Sequence, residues 1–84
     1  MEKAIKIIIT EDASEFSQES NAIMENYNIS PAFCSKDGEE LLSRIKAEIP
    51  DVVLMDSFMT RLDAIGVMRS VRREKLKAPL FIVF

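Results

Sequence analysis

Pro50-Asp51-Val52-Val53-Leu54-Met55-Asp56-Ser57-Phe58-Met59 is the stretch that decides the fold. Val52 to Met55 run without a polar break and lead directly to Asp56. An apolar run of this kind predicts a strand covered on both faces, as in parallel sheets flanked by helices. Pro50 stops the helix before it and opens the strand. A carboxylate at the tip of a buried strand is costly to desolvate unless something there uses it. Open α/β sheets bind their ligands at the carboxyl ends of their strands, so Asp56 is the first candidate functional residue.

Upstream, Asp37-Gly38-Glu39-Glu40 predicts a helix start, with Asp37 as cap and Glu40 completing a capping box. Leu41, Leu42, Ile45 and Ile49 supply its expected buried face. Earlier still, Ile29 to Cys34 is a weaker strand whose Pro31 assigns it to a sheet edge. Ile5 to Ile9 form another β-branched strand, ending on Thr10-Glu11-Asp12. A helix between these two strands is predicted from a Ser14 cap and the spacing of Phe16, Ser20, Ile23 and Tyr27. Downstream of Asp56, a loop from Ser57 to Leu62 leads to a helix capped by Asp63. Its period is marked by Ile65, Met68 and Val71 or Arg72, and its end by cations that suit the helix dipole. Leu80-Phe81-Ile82-Val83-Phe84 is a last apolar strand.

Strict strand–helix alternation predicts a parallel sheet with right-handed crossovers. The fold class is α/β, a flavodoxin-like doubly wound sheet of four strands in the order 2-1-3-4. Its apolar strands lie inside and the proline-bearing second strand at one margin. Eighty-four residues, 48% of them hydrophobic, are enough for one small folded domain.

The net charge of −3, from 11 basic and 14 acidic residues, does not suit a nucleic-acid-binding module. Histidine is absent, which removes Ser-His and Cys-His catalysis and His-ligated metals. The single cysteine, Cys34, forms no internal disulfide, suits a reducing cytoplasm and reads as a small packing residue. No apolar run is long enough to span a membrane, and the start of the chain does not read as a secretion signal. The expectation is a cytoplasmic domain.

In the order 2-1-3-4 the chain winds outward in both directions from strands 1 and 3. The gap between their carboxyl ends is then the topological switch point. Glu11, Asp12 and Asp56 fall there. Converging carboxylates repel one another unless a cation relieves them, and Mg²⁺, which prefers oxygen ligands, is the natural partner. A carboxylate beside such a metal can attack phosphorus and form an aspartyl phosphate. The plainer alternative is that these acids only cap a helix and begin a loop.

Taken together, Ile7-Ile8-Ile9-Thr10-Glu11-Asp12, Asp37-Gly38-Glu39-Glu40, Pro50 to Met59, Leu62-Asp63 and Ala78-Pro79-Leu80-Phe81-Ile82-Val83 resemble the receiver domain of two-component response regulators. The likeness runs over residues 1–84. It implies that Asp56 is the phosphoacceptor, taking a phosphoryl group from a histidine kinase or phosphotransferase protein. It further implies Mg²⁺ bound directly by Asp12, through water by Glu11, and by Asp56 and the Phe58 backbone carbonyl. Such a domain is not an enzyme beyond catalysing its own phosphorylation and dephosphorylation.

Thr60 stands where the family usually has proline, Ala64 where it has glycine, and Glu11 where aspartate is commoner. The first two predict an altered loop beside the site. The family has five strands, and this sequence stops with the fourth. The resemblance therefore implies a partial receiver without the later hydroxyl and lysine that handle the phosphoryl group, hence weak phosphorylation. An open fourth strand predicts a homodimer through that edge or by a swap. The competing reading is a degenerate receiver serving as a non-catalytic dimerisation or interaction module. A Mg²⁺-dependent phosphatase fragment is disfavoured, because the second aspartate it needs is replaced by Phe58.

Overall fold

A computed structural model describes residues 4–11 and 18–84. Their elements run β1 (Ile5–Ile9), α1 (Gln18–Asn26), β2 (Ile29–Phe33), α2 (Gly38–Glu48), β3 (Val52–Met55), α3 (Ala64–Arg73) and β4 (Leu80–Val83). All strand pairs are parallel and the order is β2-β1-β3-β4. The doubly wound sheet expected from the alternation is therefore present. The proposed Ser14 cap and the contribution of Phe16 lie outside the described residues.

Register follows from the hydrophobic pattern. Ile7, Ile8 and Ile9 pair with Val52, Val53 and Leu54, so the most apolar segments of the chain lie side by side. Pro31 sits in β2, which has β1 alone as neighbour among the described residues. A residue without an N–H is tolerated there. The strand β4 forms the opposite edge, and Leu80, Ile82, Val83 and Phe84 are exposed along it. Its place at the edge, with β3 as its neighbour, is the one that the order 2-1-3-4 expected from sequence requires.

One side of the sheet carries the core. Ile8, Val53 and Met55 pack with Cys34, with Leu41 and Ile45 of α2, and with Ala64, Val67 and Val71 of α3. Three helix faces differ from the sequence expectation. Ile49 was assigned to the buried face of α2, yet it is exposed and in the left-handed region, with φ 48°. It is the C-cap residue, and its N–H returns to the Ile45 carbonyl, which turns its side chain off the helical stripe. In α3 the buried stripe is Ala64, Val67 and Val71, whereas Ile65 and Arg72 face solvent. The cap at Asp63 sets this phase by putting Ala64, small enough for close approach, against the sheet. Likewise Ile23 and Tyr27, expected to share a helical face, are both exposed.

The two predicted caps that lie within the described residues, Asp37 and Asp63, both form. The Asp37 Oδ1 atom accepts from the Glu39 and Glu40 N–H groups, and Asp63 Oδ1 accepts from Gly66 N–H. These bonds satisfy donors that a helix start leaves open. The Glu40 carboxylate, expected to complete a capping box, instead takes the Ser35 hydroxyl.

Gly38 has a packing reason: a Cβ there would run into the backbone carbonyl of Leu62. Gly38→Ala should therefore cost about 1–3 kcal/mol, read as a lower urea midpoint with unchanged slope. Cys34 is buried just beyond β2, and burial followed by the Glu40 carboxylate pushes its thiol up, opposed by Arg44. The unfolded thiol then ionises first. The associated stability is complete below the ordinary thiol range and declines as pH rises through it. Iodoacetamide should modify Cys34 slowly in the folded chain and rapidly in urea. Equal rates would contradict the packing described.

Candidate phosphoacceptor site

The site grows from the parallel pairing of β1 with β3. Beyond the paired Ile9 and Leu54, the Thr10 N–H donates to the Leu54 carbonyl at 3.0 Å. The buried Thr10 Oγ1 then accepts from the Asp56 N–H at 2.9 Å. Carried two residues further, the same register sets Glu11 level with Asp56. The two strand ends therefore bring Glu11 and Asp56 level on adjacent strands, at the point where the chain order reverses.

Asp56 is held from several directions. Its Oδ1 accepts from the Phe58 N–H at 3.0 Å, a tight turn that fixes the carboxylate over the start of the loop. Its Oδ2 lies 3.5 Å from Lys36 Nζ, an ion pair whose side chains are 22% and 53% exposed. Exposed pairs of this kind contribute about 0.2–1 kcal/mol. Next to it, Ser57 gives both its N–H, at 2.9 Å, and its hydroxyl, at 3.0 Å, to the Phe84 carbonyl. The Phe84 N–H in turn donates to the Met55 carbonyl. The loop leaving β3 is thereby tied to the end of β4.

Of the residues singled out from sequence, Glu11 and Asp56 stand at adjacent strand ends. Phe58 follows in the loop with its ring 86% exposed. Asp12 lies outside the described residues. Among the described residues no three His, Cys, Asp or Glu side chains converge as a metal-binding group. Sequence reasoning missed two participants. Thr10 could have been found, since a lone hydroxyl closing a buried apolar strand must meet a partner. Lys36 carries no local signal, because only the β2–α2 connection and the sheet order bring it over Asp56.

The loops are joined as well. Thr60 donates from its N–H, at 2.9 Å, and from Oγ1, at 3.1 Å, to the Lys36 carbonyl, and accepts from the Gly38 N–H at 3.0 Å. Arg61, with φ 65°, pairs with Asp37 at 3.2 Å and with Glu39 at 3.6 Å.

The chain is similar to known proteins in sequence and in fold. In sequence the chain is 29% identical over 82 residues to PhoP of Bacillus subtilis, an alkaline phosphatase synthesis transcriptional regulatory protein. It is 33% identical over 76 residues to the "Probable transcriptional regulator ycf27" of Guillardia theta. The matches take in 93% and 88% of this chain. In structure it matches the signal receiver domain of Mycobacterium tuberculosis NarL and the receiver domain of Francisella response regulator 1452. Both give a TM-score of 0.71 at 25% identity, over 98% and 94% of this chain. The chain is a relative of the response-regulator receiver domains. It spans 32% and 29% of the two sequence relatives and 64% of each structural one. No family model matches it. Among the described residues no helix is long and apolar enough to cross a membrane.

Within this receiver fold, Thr10→Val keeps the shape but leaves the Asp56 N–H without its acceptor. A loss of about 1–3 kcal/mol is expected, measured by thermal or urea unfolding. A larger exchange rate of the Asp56 amide should accompany it.

Proposed function

We propose that the chain is a phosphoacceptor signalling domain in which Asp56 receives a phosphoryl group from the phosphohistidine of a partner kinase or phosphotransferase. The observation that carries this reading is the Asp56 carboxylate at the β1/β3 switch point of a receiver-type sheet. In the reaction an Asp56 oxygen forms a bond to phosphorus while the bond from phosphorus to the donor nitrogen breaks. The imidazole leaves with that electron pair. Little covalent chemistry is asked of the protein, which positions the nucleophile and balances charge.

Mg²⁺ is the proposed cofactor, which Asp56, Asp12 and the Phe58 carbonyl would hold directly and Glu11 through water. The donor set fits, since all are oxygen ligands of the kind this ion prefers. When bound, the ion neutralises charge on the phosphoryl oxygens and the attacking carboxylate. The buried Thr10 and the Phe58 N–H hold Asp56 in place for it. The domain's role is to carry a signal as a transient acyl phosphate, not to turn over an external substrate.

A second reading is favoured by the apolar edge strand. Leu80, Ile82, Val83 and Phe84 are exposed along β4, and unpaired edges of this kind recruit further strands. On that reading the chain is an interaction module that pairs with another copy through β4, and its acids do no chemistry.

Incubation with acetyl phosphate and Mg²⁺ separates the two. Intact-mass measurement should show the gain of one phosphoryl group, lost in Asp56→Asn and on removing Mg²⁺ with a chelator. No gain with wild-type chain, together with a dimer by light scattering, would favour the second reading.

A further inference from the structure

Lys36 is the one cation whose ammonium reaches Asp56 among the described residues, and its backbone explains why. Thr60 gives two hydrogen bonds to the Lys36 carbonyl, one from N–H and one from Oγ1. The return bond from Gly38 N–H closes a short parallel bridge between the β2–α2 loop and the loop after Asp56. Gly38 lets those backbones approach, since any larger residue would strike Leu62. Thr60 is also a position where this chain departs from the receiver pattern. The usual proline has neither an N–H nor a hydroxyl, so neither donor to Lys36 would exist. The other cation of this loop pair, Arg61, is turned towards Asp37 and Glu39.

We propose that Thr60 positions Lys36 as a tethered counter-ion of Asp56, one that a divalent cation displaces on entering the crevice. The displacement rests on the reading of Asp56 as a Mg²⁺ ligand. The ammonium and the metal carry like charge and compete for one carboxylate. A half-exposed lysine on a flexible stem gives way at small cost. The fixed loop bridge returns it when the metal leaves. Lys36 therefore tunes how much Mg²⁺ the site requires, and Thr60 acts through Lys36 as a positioning residue.

Calorimetric titration of Mg²⁺ into the chain at low salt tests the competition. Lys36→Gln should tighten binding by about two- to fivefold, as expected for removing one exposed, screened ion pair. That gain should shrink at high salt. Lys36→Arg should bind as wild type, and Thr60→Pro should shift in the same direction as Lys36→Gln. Unchanged or weaker binding in Lys36→Gln would overturn the competition. Asp56→Asn should lose affinity; wild-type affinity in that variant overturns Asp56 as a ligand instead. The ion pair is read without metal by competitive acetic anhydride labelling of Lys36 relative to Lys77. The rate at Lys36 should rise in Asp56→Asn and in Thr60→Pro if the variant melts cooperatively. Equal rates in wild type and Asp56→Asn would overturn the counter-ion itself.

Discussion

The parallel pairing of β1 with β3 is the interaction on which the rest of the structure depends. It sets Ile9 opposite Leu54 and thereby brings two polar strand ends level with each other. Those ends would be costly if buried. The fold avoids the cost by leaving the Asp56 side chain in contact with solvent and by giving the Thr10 and Asp56 N–H groups acceptors. Thr10 is the hinge of this arrangement: its N–H continues the ladder to Leu54, and its hydroxyl oxygen receives the Asp56 N–H. A slip of one residue would send the buried isoleucines of β1 to the opposite faces and take the acids away from each other.

Packing on one sheet face makes that register hard to change. The helices α2 and α3 lay Leu41, Ile45, Val67 and Val71 over Ile8, Val53 and Met55. Their caps at Asp37 and Asp63 fix where each helix begins. The Asp37 cap also meets Arg61 from the loop after Asp56, so the start of α2 and the site loop share an ion pair. Beside it, the Thr60 bridge joins the same two loops through backbone bonds. The candidate site thus lies on a rigid scaffold, yet its own side chains keep contact with solvent. That combination suits the proposed role of Asp56, in which it would meet a partner protein and a metal ion.

Kinship to response-regulator receivers gives the site its chemical context, and the departures give it individuality. The Thr60 position is the clearest case. Read along the sequence, a threonine in place of proline only predicts a changed loop. In the folded chain its two donors hold Lys36, and Lys36 reaches the carboxylate on which the proposed chemistry depends.

Much of this was legible in the sequence, for local reasons. Apolar runs gave the strands, Asp37 and Asp63 gave the starts of α2 and α3, and Pro31 excluded β2 from the sheet centre because it lacks a donor. Strand–helix alternation then gave parallel pairing and, with Pro31 at an edge, the order 2-1-3-4, which set Glu11 and Asp56 at adjacent strand ends. Side-chain facing at the helix margins was not legible. Ile49 and Ile65 follow an apolar period yet face solvent, because the αL cap and the Asp63 phase override hydrophobicity there. Nor could the sequence join Lys36 to Asp56. A contact across so many residues has no local pattern; it exists only because a crossover and a loop bridge bring two distant backbones together. Composition and periodicity determined the sheet and the position of its acids, while tertiary structure alone decided which cation stands against them.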